Sequence, residues 1–226
     1  SDVDESDLVF HMTGMRVEKM AERHRASFSK DPACILEVNG LTYPPKVNRV
    51  SMKAYPGEIV GIGGLQGQGQ TEFIRVLYGA IPRTEGEIML AGHTQNYKVP
   101  AAAVKDGFGF IPGDREREGI FSVRPVKDNL FMGYYSKNPL RKFINPHTVL
   151  DGARAMIQKL KIVAGGPNHP ASSLSGDNQQ KLVVGRWLHV KPKILLLDDP
   201  TKGVDVTSRQ EIHELLQDMA QEGTTI

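Results

Sequence analysis

Apolar and polar residues follow two different periods along the chain from residue 34 onward. Strand-like patterns bounded by glycine or proline turns cover residues 35–42, 47–54, 58–63, 85–92 and 107–112. Apolar positions three and four apart, which predict amphipathic helices, cover residues 72–78, 100–105, 128–160 with a break at Asn145-Pro146, 182–191 and 207–222. Strands that alternate with helices predict an α/β domain built on a parallel sheet.

The most apolar run of the chain is ILLL at residues 194–197, and two carboxylates, Asp198 and Asp199, follow it directly. A strand without polar alternation is typical of burial on both faces of a parallel sheet. Residues 117–191 contain mostly helical patterns, which predict a helical insert within the α/β domain. Asn145 is the predicted cap of the second helix in this insert.

The two ends of the chain differ from its middle. Residues 1–33 are charged and lack turn-bounded strands, so we expect a linker, although residues 8–15 also fit one short helix face. The acidic start has no methionine and no signal-peptide pattern, which indicates a piece of a longer protein. The last residues, 223–226, begin a β-branched run, and we expect a further strand to follow them.

Composition narrows the class of protein. The chain has 226 residues and suits one domain with a substantial core. Its net charge of +2, with 24% charged residues, gives no reason to expect a nucleic-acid-binding surface. Cys34 is the single cysteine, so an internal disulfide is excluded, and the longest apolar run is far too short to cross a bilayer. None of the seven histidines has another histidine or a cysteine at metal-ligand spacing, so we expect no histidine metal site.

The glycine-rich stretch GLQGQGQT at residues 64–71 lies between a predicted strand and a predicted helix. Its spacing is that of the phosphate-binding P-loop, except that Gln70 stands in the place of the lysine. Glycines let successive backbone N–H groups turn toward one anion, and the following helix adds the positive end of its dipole. A purely structural glycine turn is the alternative. The predicted nucleotide-binding residues here are Gly64, Gly67, Gly69, Gln70, Thr71 and Glu72.

A P-loop paired with a later apolar strand that ends in aspartate is typical of nucleotide hydrolases. Thr71 and Asp198 are the predicted Mg²⁺ ligands, Asp198 through the water shell of the metal. Asp199 is the predicted catalytic residue, placed to orient the attacking water near the γ-phosphate. The alternative is that the two carboxylates are only a polar strand end.

Four further motifs resemble those of the ATP-binding-cassette family, and the resemblance covers about residue 34 to the end of the chain. IPGDREREG at residues 111–119 resembles the Q-loop region, and LSGDNQQK at residues 174–181 resembles the family signature. LLLDDP at residues 195–200 resembles Walker B, and GVD at residues 203–205 resembles the D-loop. The residues that the resemblance assigns are Gly113 and Asp114 in the Q-loop region, Leu174, Ser175, Gly176, Asp177 and Gln179 in the signature, and Asp205 in the D-loop.

The form of the Q-loop region, together with NQQ and GVDV, is similar to the second cassette of bacterial monosaccharide importers and of their nucleoside-importing relatives. The resemblance implies a P-loop NTPase of the ABC type, with a parallel-sheet core, an antiparallel β subdomain and a helical insert. It implies a nucleotide-binding domain over residues 34–226, truncated at its carboxyl end. Residues 1–33 would then be a linker and the end of a preceding cassette. ATP and Mg²⁺ are the implied cofactors.

The same resemblance implies partners and a location. This cassette would pair head to tail with a first cassette and couple ATP hydrolysis to sugar transport through membrane permease subunits, served indirectly by a sugar-binding protein. It would lie peripherally on the cytoplasmic face of the bacterial inner membrane, with no nucleic-acid partner. A soluble cassette that acts in translation or DNA repair is an alternative. The near-neutral charge of the chain and the form of its Q-loop region argue against it.

Four positions depart from the family pattern. Gln70 lacks the charge of the usual lysine, and Asp199 is one methylene shorter than the usual glutamate. Asp177 brings a carboxylate toward the expected position of a partner's γ-phosphate, and Gly113 removes the Q-loop side chain. These changes leave open a non-hydrolysing cassette that acts as a structural or regulatory partner. Tyr43 is the candidate to stack on adenine, with a strand-edge aromatic as the alternative.

Overall fold

The computed structural model describes residues 33–137 and 145–226. The predicted linker, apart from its last residue, and the helix face over residues 8–15 lie outside this part of the chain. The strands are β1 (Leu36–Tyr43), β2 (Val47–Ala54), β3 (Glu85–Leu90), β4 (His93–Gln95), β5 (Phe108–Ile111) and β6 (Ile194–Leu197). The helices are α1 (Gln70–Leu77), α2 (Pro100–Asp106), α3 (Val126–Lys137), α4 (Pro146–Lys159), α5 (Gly176–Val190) and α6 (Val206–Gln221).

The first four strands form an antiparallel sheet in the order β2-β1-β3-β4. In the centre of this sheet, Val38 of β1 lies opposite Met52 of β2 and Ile88 of β3. Gly86 has a φ of +92°, and a Cβ there would lie 2.5 Å from the carbonyl oxygen of Gly40, so the register requires glycine where these strands meet. This sheet is the predicted antiparallel subdomain. Strand β4 was not predicted because three residues are too few to show a period.

Strands β5 and β6 pair in parallel, with Phe108 opposite Ile194 and Ile111 opposite Leu197. Thr225 forms a further parallel bridge with Ile194. The apolar run at residues 194–197 is therefore a strand of a parallel sheet, as predicted.

The prediction of a strand over residues 58–63 is wrong, since this segment forms no continuous ladder. It pairs with the end of the chain through two hydrogen bonds, from Val60 N to Ile226 O and from Ile226 N to Glu58 O, each 2.8 Å long. A strand requires pairing that repeats along its length, and the hydrogen bonds of this segment do not form such a ladder. Ile59 and Ile62 are accordingly 51% and 43% exposed.

Strand β6 separates two buried clusters of apolar side chains. Ile194 and Leu196 belong to the cluster beneath the antiparallel sheet, together with Phe108. Leu195 belongs to the cluster formed by the helices, together with Trp187 of α5. Alternate residues of β6 therefore join the glycine-loop half of the molecule to its helical half.

The helical half contains a buried polar network. Asn129 is fully buried, and its side chain donates to the carbonyl oxygens of Phe121 and Pro125 and accepts from Phe121 N. The Nε and Nη2 atoms of Arg186 donate to Asn129 O and Gly119 O at 3.0 and 2.8 Å. Burial lowers the pKa of Arg186 to about 10. The network holds the loop between the Q-loop region and α3 against α5.

Two boundaries in this half differ from the prediction, and one agrees with it. Arg115–Gly119 is a π-helical turn rather than a loop, because Asp114 Oδ1 accepts from Arg117 N at 3.1 Å. Helix α5 begins at Gly176, six residues before the predicted start at residue 182, because Ser175 caps it. The predicted cap at Asn145 is confirmed at the start of α4. Within the described residues, no helix combines the length and the apolar composition that a membrane crossing requires.

Candidate functional site

The glycine loop projects from the domain, and residues 64–68 are exposed. Gly67 and Gly69 have positive φ angles of 82° and 107°, the backbone conformation that lets neighbouring N–H groups face one side. A Cβ on Gly69 would lie 2.2 Å from Lys46 O, so the turn between β1 and β2 packs directly on the loop. Helix α1 begins at Gln70 and carries Glu72 in its first turn. The predicted loop and helix are therefore both present, and the predicted strand before them, over residues 58–63, is absent.

The structure brings Thr71 and Asp198 together from positions 127 residues apart. Thr71 Oγ1 donates to Asp198 Oδ1 at 2.9 Å. The two oxygens are of the kinds that Mg²⁺ prefers, and a hydroxyl beside a carboxylate suits an ion that binds the hydroxyl directly and reaches Asp198 through its water shell. A hydroxyl and one carboxylate also suit an ion that keeps several ligand positions for phosphate and water. These residues therefore fit the predicted metal site.

Gly113 lies against the same carboxylate. A Cβ at position 113 would be 3.0 Å from Asp198 O and 3.3 Å from Asp198 Oδ2. The Q-loop region therefore does reach the candidate metal site, and its backbone packs against Asp198 so closely that a Cβ at position 113 would be crowded. Asp114, the neighbouring predicted residue, caps the π-helical turn instead of approaching Asp198.

An open cleft of about 950 Å³ runs beside these residues. The predicted site residues that line it are Gly64, Gly67, Gln70, Thr71, Gly113, Asp114, Asp198 and Asp199. Tyr43 is not among the lining residues; it lies at the end of β1, partly buried against the core of the antiparallel sheet. The geometry thus matches the strand-edge alternative for Tyr43, and stacking on adenine stays a prediction.

The side chain of Gln70 is folded back into its own loop. Its Nε2 donates to Leu65 O at 3.1 Å, and a Cβ on Gly64 would lie 2.2 Å from that nitrogen. Lys46 Nζ donates to Gly67 O from the turn between β1 and β2. The sequence analysis did not anticipate Lys46, because its contact with the loop depends on how two segments 21 residues apart pack.

Asp199 is exposed and has a φ of +48°, a left-handed conformation that is uncommon outside glycine. Its carbonyl oxygen accepts from Lys202 N at 3.2 Å, which forms the turn after β6. Asp199 lines the cleft together with Asp198. A catalytic role for Asp199 stays a prediction.

The signature residues lie at the start of α5 and are held by hydrogen bonds within the chain. Ser175 Oγ accepts from Asn178 Nδ2 at 2.8 Å and caps the helix. Gln179 turns inward and donates to Leu174 O at 3.2 Å. These contacts stabilise the turn without any ligand.

Asp177 joins the signature to the D-loop. Its Oδ1 accepts from Asp205 N at 3.2 Å, while Asp205 Oδ1 accepts from Ser208 N at 2.9 Å and caps α6. The hydrogen bond from the Ser208 backbone holds the pKa of Asp205 below its usual value. The carboxylate of Asp177 therefore has a hydrogen-bond donor within the chain, and its approach to a partner's γ-phosphate stays a prediction.

Arg115 is a second residue that the sequence analysis missed. Its Nη1 donates to Lys202 O at 3.1 Å, and a Cβ on Gly176 would lie 2.6 Å from its Nη2. Its Nε is buried without a hydrogen-bond partner among the described residues. From its place in the Q-loop region, Arg115 thus contacts both the signature turn and the segment at the start of the D-loop. An arginine in a charged turn carries no pattern in the sequence that distinguishes it from its neighbours.

Comparison with known proteins shows which protein family this sequence matches. The sequence family described as ABC transporter matches residues 47–202. The chain is 36% identical over 229 residues to the ribose import ATP-binding protein RbsA 3 of Rhizobium meliloti, covering 100% of this chain and 45% of that protein. It is 37% identical over 205 residues to the galactose/methyl galactoside import ATP-binding protein MglA of Fusobacterium nucleatum, covering 89% and 41%. The chain thus spans less than half the length of these curated relatives.

Solved structures agree at the level of the fold. A dimeric ATP-binding cassette in a post-hydrolysis state, bound to ADP and Pi, superposes with a TM-score of 0.72 at 20% identity, covering 84% of this chain and 85% of that one. A nucleotide-free cassette from an ABC transporter superposes with a TM-score of 0.69 at 22% identity, covering 85% and 79%. The arrangement of sheets, glycine loop and helical insert is therefore that of an ATP-binding cassette.

Proposed function

Because the chain belongs to the ABC transporter family, we propose that it is the ATP-binding cassette of a bacterial sugar importer, the second of two in its protein. It binds Mg·ATP at the glycine loop and hydrolyses it to drive transport through a membrane permease. The observation that carries this proposal is the hydrogen bond between Thr71 and Asp198, which places the P-loop hydroxyl and the Walker B carboxylate at one point. We infer that the transported substrate is a sugar because the similar proteins are ATP-binding proteins for the import of ribose or galactose.

Each residue of the site has a separate task in this proposal. The loop at residues 64–69, exposed over residues 64–68, offers backbone N–H groups to the phosphates, and the amino end of α1 adds a favourable field. Thr71 and Asp198 hold Mg²⁺, which when bound neutralises phosphate charge. Asp199, which lines the cleft, orients the attacking water. The backbone of Gly113 packs against Asp198 and keeps the Q-loop region beside the site.

The signature face serves the partner's nucleotide. Ser175 and Gly176 lie at the amino end of a 15-residue helix, where backbone N–H groups attract an anion. A first cassette bound head to tail brings its own ATP to this face, so that each nucleotide lies between two cassettes. The pair lies on the cytoplasmic face of the inner membrane, against the permease subunits that a sugar-binding protein supplies.

The test is a titration of the chain with ATP in the presence and absence of Mg²⁺. We expect measurable binding that Mg²⁺ strengthens, and we expect Asp198→Asn to remove the Mg²⁺ dependence while circular dichroism stays unchanged. Unchanged metal dependence in a folded Asp198→Asn variant would contradict the proposed metal site. Binding without any hydrolysis in the presence of the first cassette and permease would identify the non-hydrolysing alternative.

A further inference from the structure

The glycine loop lacks a cation at the position where P-loops carry lysine, and the phosphates of a nucleotide are strongly anionic. A charge-assisted hydrogen bond is worth roughly twice a neutral one. Gln70 cannot supply that charge, and its amide is already engaged by Leu65 O. A site that binds Mg·ATP with this loop needs another source of positive charge close to it.

Three cations of the described chain lie near the loop and cleft, and they differ in what they already bind. Arg75 forms an ion pair with Glu118 at 2.7 Å, and this hydrogen bond raises the pKa of Arg75. Lys202 lines the cleft on the side of Asp199, after the Walker B strand. Lys46 contacts the loop itself, through Gly67 O. Its ammonium has no carboxylate partner among the described residues.

The position of Lys46 follows from the backbone rather than from its flexible side chain. Lys46 N donates to Tyr43 O at 3.1 Å and closes the turn between β1 and β2. Lys46 O lies so close to Gly69 that no Cβ fits there. The turn and the loop are therefore in direct contact, and the side chain of Lys46 starts beside the phosphate loop. The sheet brings this turn to the loop by pairing Tyr43 with Val47.

We infer that Lys46 supplies the positive charge for the phosphates of the bound nucleotide, in place of the lysine absent at position 70. An ammonium has three donors, so Lys46 can keep Gly67 O and donate to a phosphate oxygen, or exchange one for the other. The exposed side chain can make this small movement without disturbing the core. This inference rests on the proposed function, because it concerns how the same site holds Mg·ATP.

The experiment measures Mg·ATP affinity by calorimetry, with inorganic tripolyphosphate as a competitor that reports on the phosphate contacts alone. We expect Lys46→Gln to weaken Mg·ATP binding about tenfold or more, and to weaken tripolyphosphate competition by a similar factor. Lys46→Arg retains most of the affinity because it keeps the charge. Gln70→Lys added to Lys46→Gln restores binding, since it returns a cation to the loop.

Lys98→Gln is the matched control, because Lys98 is an exposed lysine in the segment before α2 and does not line the cleft. Equal affinities for Lys46→Gln and Lys98→Gln, in a chain that does bind Mg·ATP, would overturn the role of Lys46 and leave the proposed function standing. Absence of Mg·ATP binding in the unmodified chain would overturn both.

Discussion

The glycine loop at residues 64–69 and the signature turn at residues 174–177 each precede a helix, but they are stabilised in different ways. Hydrogen bonds hold the signature turn: Ser175 and Asp177 accept them from backbone N–H groups, and Gln179 donates one to a carbonyl oxygen. Arg115 packs against this turn at Gly176. Gly69 caps α1 without any side-chain hydrogen bond. The side chains of Gln70 and Lys46 donate to two carbonyl oxygens of the loop, Leu65 O and Gly67 O, and the backbone of Lys46 packs against Gly69.

This difference indicates which half of the molecule depends on a ligand. The side chains of the signature turn form their hydrogen bonds within the chain, so the geometry of this turn is set before a nucleotide binds. The glycine loop has an internal backbone hydrogen bond, from Gln68 N to Leu65 O at 3.3 Å, but its exposed surface stays available for phosphates. We therefore expect substitutions in the helical half to change stability, and substitutions in the loop to change nucleotide affinity.

The largest expected effect is in the helical half. Asn129→Ala removes a fully buried side chain, and the N–H and carbonyl groups of Phe121 in the loop before α3 lose the partner that it provides. We expect the free energy of unfolding to fall by about 3 kcal/mol, measured by urea denaturation. The matched control is Asn39→Ala, because Asn39 is exposed and makes one 3.4 Å hydrogen bond. A larger loss of Mg·ATP affinity than of stability in Asn129→Ala would break the comparison.

The second effect is in the loop. Gly69→Ala places a Cβ against Lys46 O at a φ of +107° and forces the loop away from the turn between β1 and β2. We expect Mg·ATP affinity to fall by about 30-fold, equivalent to about 2 kcal/mol of backbone strain. Gly63→Ala is the control, since a Cβ there meets nothing within 4 Å. Equal affinities for the two variants would show that the contact between turn and loop does not shape the site.

The smallest effect concerns the cap of α6. Asp205→Ala removes this cap, and we expect a loss of about 1 kcal/mol in the free energy of unfolding at neutral pH. The folded state lowers the pKa of Asp205, so the contribution of the charged cap is present above about pH 4 and is lost as the pH falls through the lowered pKa. Asp205→Asn keeps a capping oxygen and should make unfolding less pH-dependent in this range. A pH dependence identical to that of the unmodified chain would contradict the assignment.

The sequence predicted the local motifs well because each motif is a short run with its own physical signature. ILLLDD shows a buried strand ending in carboxylates, and the glycine spacing shows a phosphate loop. The cap at Asn145 and the helix over residues 207–222 follow from equally local rules. These elements need no knowledge of the rest of the chain.

The errors arose where a contact joins distant segments. The segment at residues 58–63 has the composition of a strand, but a strand exists only where a neighbour pairs with it. The direction of the Asp177 carboxylate depends on the amide of Asp205, 28 residues later. Lys46 reaches the loop through the packing of a hairpin turn, which no spacing rule describes. Sequence analysis thus identified a candidate site but not the partners of its side chains.

The central claim is that Thr71 and Asp198 hold one Mg²⁺ together with the nucleotide. The most direct measurement is a double-mutant cycle of Thr71→Val and Asp198→Asn, with ATP affinity measured in Mg²⁺ and again in EDTA. If both residues act through one ion, the double variant loses less binding free energy in Mg²⁺ than the sum of the two single variants, by about 1 kcal/mol or more. This difference shrinks in EDTA. Additive losses in Mg²⁺, or a coupling that is the same with and without the metal, would contradict the claim and leave only the hydrogen bond between the two side chains.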